Sequence, residues 1–139
     1  MNVLMLLKNK KEVACLYDTN TLRQGIEKMR AHGYTAIPVL SKDGHYIGSV
    51  SEGDFLWHIV EHRNSDMKVQ ENYLVRDIIR RGFNPAVKID VSMEALLQRS
   101  MYQNFIPVVD DRNFFIGIVT RQDIIRSFLD AAEKKEHTA

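Results

Sequence analysis

At 139 residues the chain has room for one compact domain, or for two small ones that share a core. Nineteen basic residues against eighteen acidic ones leave a formal charge of +1, which excludes the broad positive footprint of a nucleic-acid or anionic-membrane binder. The single cysteine, Cys15, cannot close an intrachain disulfide and no apolar run approaches a transmembrane helix, so a soluble, cytoplasmic protein is expected.

In chain order, the apolar run Val3 to Leu7 is too short for a signal segment and has no basic flank. Val13 to Tyr17 predicts a first strand, in which Cys15 is a small buried hydrophobe rather than a nucleophile. Asp18-Thr19-Asn20-Thr21 opens a helix carrying Leu22, Ile26 and Met29 at helical spacing. Val39-Leu40, the turn Ser41-Lys42-Asp43-Gly44 and the strand Tyr46 to Val50 form a β-hairpin. A helix with Phe55, Leu56, Ile59 and Val60 follows, and the polar stretch 63–73 reads as a linker. The same order then returns. Ala86 to Ile89 is a strand, Ser92 starts a helix with Met93, Leu96 and Leu97, and Val108 to Val119 is a hairpin around Asp110-Asp111-Arg112-Asn113. A last helix carries Ile124, Ile125, Phe128 and Leu129, and the charged tail from Glu133 is expected to fray.

This is an internal repeat. Residues 37–54 (IPVLSKDGHYIGSVSEGD) align without a gap on 106–123 (IPVVDDRNFFIGIVTRQD), with Pro38 on Pro107, Gly48 on Gly117 and Asp54 on Asp123. Between the first helix and the proline the second copy is two residues shorter. One copy is too small to bury a stable core alone, so the two are expected to face each other. The predicted fold is mixed α/β: two β-α-β-β-α repeats, the first over 9–62 and the second over 74–130, joined by 63–73.

Each hairpin enters its last helix through Gly-x-x-[Ser/Thr]-x-x-Asp: Gly48, Ser51 and Asp54, then Gly117, Thr120 and Asp123. A hydroxyl followed three residues later by an acid is also a capping-box spacing, which any helix start can use. Two details point beyond a cap. The acid is the short Asp in both copies, and a glycine precedes the hydroxyl by three residues, where a side chain would obstruct a ligand. A helix N-terminus offers free N–H groups to a phosphate, and an aspartate can accept both hydroxyls of a ribose. Arg121 adds positive charge in the second copy, where the first has Glu52.

The pattern, present twice with a leading strand and helix, resembles the CBS domain family from about Glu12 to Leu129. The resemblance implies a pseudo-twofold pair of repeats with two symmetry-related clefts, each shared between repeats. It implies that Thr120, Arg121 and Asp123 face Ala14 and Tyr34-Thr35-Ala36, and that Ser51 and Asp54 face Val87 and Gln103-Asn104-Phe105. It further implies an adenine-nucleotide ligand (AMP, ADP, ATP or a cyclic dinucleotide), a homodimer, a separate protein partner, and neither a catalytic residue nor a bound metal or cofactor. Ala36 leaves room for a purine where Phe105 would fill it, and Glu52 would repel phosphate, so the Thr120/Asp123 cleft is the expected site and Ser51, Asp54, Val87 and Asn104 a weaker one.

Two other readings stand beside this one: a dimerisation scaffold with an empty cleft, and a zinc hydrolase using His58-Ile59-Val60-Glu61-His62, an H-x-x-E-H pattern. The zinc reading needs a third protein ligand and a cleft. Ile59 and Val60 instead place that helix's apolar stripe through the motif.

Overall fold

The computed structural model describes residues 2–138. Asn2 caps a four-residue helix, α1 (Val3–Leu6), which leads into the short strand β1 (Lys8–Asn9) and a 3-10 turn at Lys10–Glu12. The first repeat comprises β2 (Leu16–Tyr17), α2 (Leu22–His32), β3 (Ala36–Leu40), β4 (Tyr46–Ser51) and α3 (Glu52–His62). The second comprises β5 (Val87–Lys88), α4 (Met93–Ser100), β6 (Phe105–Val109), β7 (Phe115–Thr120) and α5 (Arg121–Thr138).

Local chemistry accounts for these boundaries. Thr21 caps α2 by accepting from Gln24 N, and Gln24 Oε1 accepts from Thr21 N in return. Gly33, at φ 66°, ends the helix in the left-handed conformation that a glycine adopts without steric cost. In α4 that cap is missing and the helix stops at Ser100, which is where the second copy lacks two residues. The charged tail does not fray at Glu133: α5 runs on to Thr138, in keeping with the helix propensity of Glu, Lys and Ala.

The two repeats build two sheets with the same internal pairing. β2 runs parallel to β3 with Leu16 opposite Val39, and β5 runs parallel to β6 with Val87 opposite Val108. Both hairpins carry the same register and the same irregularity, at Val39/Leu40 and Val108/Val109. The hairpin turns end at Gly44 (φ 96°) and Asn113 (φ 67°), the residue types that best tolerate positive φ.

A pseudo-twofold axis passes between the hairpin tips, where His45 bridges its own counterpart Phe114. Phe115 N donates to Gly44 O and Tyr46 N to Asn113 O, two bonds that the axis exchanges. Beneath them Tyr46, Val109 and Phe115 form a core shared by both repeats, with Val13, Cys15, Leu40, Ala86 and Ile118 packed against it. Val13 and Cys15 belong to this shared core rather than to a ladder, so the first strand is shorter than the expected Val13–Tyr17.

Each repeat is completed by the segment that precedes the other. Val75 is fully buried in the core of the first repeat, and Val3 in that of the second. Burial of one such side chain is worth about 1.5–3 kcal/mol. β1 adds to the second sheet antiparallel to β7, with Lys8 opposite Ile118. Correspondingly, Leu22 N donates to Tyr73 O and Val75 N to Asn20 O. Residues 63–73 therefore do more than link: Gln70, inside that stretch, is fully buried, and its amide donates to Asn64 O at 3.0 Å.

Candidate functional site

Between the repeats lies a cavity of about 380 Å³. Tyr34, Thr35, Ala36 and Pro38 line it from the first repeat, Asn104, Phe105, Ile118 and Thr120 from the second, and Lys8, Glu12 and Val13 from the N-terminal segment. Thr120 Oγ1 caps α5 by accepting from Asp123 N at 3.2 Å. Arg121 N donates to Asn104 O at 2.9 Å, which ties the helix start to the residue before β6 of the same repeat, and Arg121 Nε is buried without a partner among the described residues. The Asp123 carboxylate accepts no hydrogen bond among the described residues. It lines an adjoining cavity with Leu6, Leu7 and Arg126, and Lys8 is a wall common to both cavities.

Thus the fold brings Thr120 together with Tyr34-Thr35-Ala36, while Asp123 lines the adjoining cavity that shares Lys8. Ala14 lines a different cavity, beside Cys15. Of the second set, Asn104 lines this cleft rather than its twin, and Val87 is buried in the core of the second repeat.

In the twin cleft buried polar side chains occupy the wall positions, and Asp54 lines a separate cavity of about 570 Å³ with Glu61, Asp77 and Arg80. Val13, Tyr34 and Ile118, which wall the open cleft, have Asn84, Gln103 and Ser49 as their repeat counterparts. There Asn84 Nδ2 donates to Ser49 Oγ at 3.1 Å, and Gln103 Nε2 donates to Asn84 Oδ1 at 2.9 Å. Tyr46 OH donates to Asn84 O at 2.7 Å and lies 2.7 Å from Ser49 Oγ. Asn84, Gln103 and Ser49 are all buried, and such a network is rigid when its members satisfy one another. Burial pushes the Tyr46 hydroxyl up to about 12.

Asp54 is also occupied. Its Oδ2 accepts from Ser51 N at 2.8 Å and from Ser51 Oγ at 3.1 Å, a capping box with the short acid. Its Oδ1 accepts from Arg80 Nε at 2.6 Å, and Arg80 lies over the Phe83 ring. The repeat counterpart of Arg80 is Asn9, which carries no charge, and this is why Asp123 keeps a free carboxylate where Asp54 does not.

Phe105, Glu52 and the two glycines stand in other surroundings than the sequence pattern suggests. Phe105 lines the open cleft instead of filling the twin. Glu52 lies in a third cavity, between α2 and α3. Gly117 and Gly48 make room for the chain itself: a Cβ at 117 would overlap the Lys8 carbonyl, and one at 48 would sit 2.8 Å from Ile79 Cγ2.

The histidines of the H-x-x-E-H motif stack on each other at 4.0 Å, and Tyr73 meets His58 edge-on at 4.5 Å. His62 Nδ1 lies 2.9 Å from His58 O. Burial, and secondarily the charge of His62, lowers the pKa of His58. Among the described residues no three His, Cys, Asp or Glu side chains converge as a metal site would require, and no helix is long and apolar enough to cross a membrane.

Comparison with known proteins completes the description of the site. The model of the CBS domain matches residues 9–61 and 75–130. An uncharacterized protein of Methanocaldococcus jannaschii is 30% identical over 91% of this chain and 92% of its own length. Two longer archaeal relatives are spanned over 52% and 58% of theirs. CbpB of Listeria monocytogenes, in complex with c-di-AMP, has a TM-score of 0.80 at 25% identity, over 99% of this chain and 98% of that one. CBSX2 of Arabidopsis thaliana, in complex with AMP, shares the fold with a TM-score of 0.75 at 19% identity, over 94% and 98%.

Proposed function

The chain belongs to the CBS domain family, and we propose that it is a non-catalytic regulatory module that binds one adenine nucleotide in the open cleft between its repeats. The observation that carries the reading is the contrast between two clefts of one backbone: Val13, Tyr34 and Ile118 leave space where Asn84, Gln103 and Ser49 fill it.

In this reading Tyr34, Thr35 and Ala36 flank the purine. The Thr120 hydroxyl, the N-terminus of α5 and Arg121 attract the phosphate, and the free Asp123 carboxylate takes the ribose hydroxyls. Ala14 supports the wall from behind Val13. A volume of about 380 Å³ lies at the low end of the roughly 300–1,000 Å³ typical of small-molecule sites, which favours a mononucleotide over a cyclic dinucleotide. The repeats as functional units span 9–62 and 74–130, with 63–73 between them. Occupancy is passed to a partner protein by preferring one arrangement of the repeats. Exposed Leu56, Trp57 and Val60 on α3 and Leu129 on α5 supply the apolar face of a homodimer in the cytoplasm.

Isothermal titration with AMP, ADP, ATP and c-di-AMP tests the proposal. One nucleotide per chain is expected, with binding lost in Asp123→Ala and kept in Asp54→Ala. No heat with any of the four would overturn it and favour the ligand-free scaffold, and equal loss in the two variants would overturn the choice of cleft.

A further inference from the structure

A second cavity, of about 390 Å³, shares Val13 as a wall with the nucleotide cleft but opens elsewhere. Three lysines from three separate elements line it: Lys10 from the 3-10 turn, Lys28 from α2 and Lys42 from the first hairpin turn. One acid, Asp43, stands among them. Of the five cavities described, the other four are lined by balanced or excess negative side-chain charge, so this is the one with a cationic surplus. On a chain of net charge +1 the surplus is local.

Lys28 has a structural reason to be there: its ammonium donates to Cys15 O at 2.6 Å, and its repeat counterpart Arg99 likewise donates to Pro85 O at 3.2 Å. Lys10 and Lys42 have no such tie, and none of the three lysines is ion-paired among the described residues. At the counterpart of Lys42 the second copy carries Asp111, so the triple is not a by-product of duplication. Gathering like charges around one cavity is unfavourable unless an anion offsets it.

Tyr17 and an apolar wall of Leu40, Phe114 and Phe115 beside Val13 make up most of the remaining lining. His45 stacks on Phe114 at 4.2 Å and holds that ring in place.

We propose that this cavity binds a phosphate monoester with an apolar body, its dianion among the three ammonium groups and its body against the phenylalanine wall. Lysines act as point charges toward phosphate, and three of them suit a tetrahedral dianion that presents several oxygens. The proposal does not depend on the nucleotide reading of the neighbouring cleft.

The test uses phenyl phosphate and inorganic phosphate on the ¹⁵N-labelled full chain at low ionic strength, with amide shifts as readout. Phenyl phosphate is expected to shift Val13 to Tyr17 and Lys42 to Gly44 and to bind more tightly than inorganic phosphate. In Lys10→Gln/Lys42→Gln, two exposed sites whose change spares the core, affinity is expected to fall about tenfold. Lys68→Gln/Lys88→Gln controls for charge elsewhere and is expected to change nothing. Persistence of the phenyl phosphate shifts in Asp123→Ala, which alters only the neighbouring cleft, supports a separate site. Loss of the shifts in Asp123→Ala, equal affinity for the two phosphates, or an unchanged double variant would each overturn the proposal.

Discussion

Arg80→Ala tests how the first repeat fixes its helix start. Arg80 Nε lies 2.6 Å from Asp54 Oδ1, with the Asp54 side chain 5% exposed and that of Arg80 55%. The variant leaves one oxygen of a buried carboxylate without its donor, while Ser51 continues to serve the other. Removing one partner of a fully buried pair costs about 3–5 kcal/mol, and a surface pair is worth about 0–1 kcal/mol. Because water can reach the space that the half-exposed guanidinium vacates, the expected loss is about 1–2 kcal/mol. With an unfolding entropy near 2.1 cal/mol/K per residue, that lowers the Tm of this chain by about 3–7 °C. The assay is a double-mutant cycle of Arg80→Ala, Asp54→Asn and their combination, followed by calorimetric melting. A coupling near 1 kcal/mol is expected for a pair this close. Strict additivity would refute the reasoning, since the two residues would then act independently. Nucleotide stoichiometry is expected to remain one, because Asn84, Gln103 and Ser49 still close the twin cleft.

Gly117→Ala is expected to cost about 2–4 kcal/mol by forcing the Lys8 backbone away from β7, whereas Gly48→Ala meets the branch methyl of the Ile79 side chain, which must shift while the backbone stays, and costs about 1–2 kcal/mol. Urea melts of both variants, with hydrogen exchange at Lys8 and Asn9, check this, and the reverse order would refute it. Tyr46 holds its proton more tightly when folded, so its share of stability is complete below pH 10 and is lost as pH climbs through about 12. Wild type is therefore expected to lose more stability than Tyr46→Phe between pH 9 and 11 on the order of 1 kcal/mol, and parallel losses would sink the idea. His58 has a lowered pKa in the fold, so its contribution is present above the ordinary histidine range and is lost as pH falls below it. His58→Phe is expected to flatten the acid limb of the stability curve between pH 7 and 5, measured by urea denaturation.

The duplication was legible because proline, glycine and the hairpin turns fall at one offset, and all of them act locally. What the sequence concealed was exchange between distant segments. Val3 and Val75 look like ordinary apolar residues near a terminus and a linker, yet each finishes the core of the repeat it does not precede. The stretch 63–73 is polar and reads as solvated, but Gln70 is buried there because its amide supplies Asn64 O. In the site, the helix-start motif and the Tyr34-Thr35-Ala36 wall were readable. The cause of the asymmetry was not: Asn84, Gln103 and Ser49 come from three places, and only the fold reveals that they bond to one another.

That asymmetry resides in side chains and not in the backbone. Glu52 N donates to Thr35 O and Arg121 N to Asn104 O at the same 2.9 Å, so each helix start is tied to the hairpin of its own repeat in one way. The hairpin tips pair symmetrically about His45 and Phe114, and both sheets keep the same register and irregularity. A frame so evenly constrained cannot open one cleft by shifting a repeat without disturbing the other. Difference has to come from what each position carries. At the three wall positions, apolar Val13 and Ile118 and the half-buried Tyr34 cannot bond to one another across the gap, whereas an amide, a second amide and a hydroxyl can. The cation opposite Asp54, with Asn9 opposite Asp123, sets the fourth difference. Four substitutions on a common backbone thus suffice to separate a cleft that is open, with a free acid at its edge, from one that is filled by its own side chains.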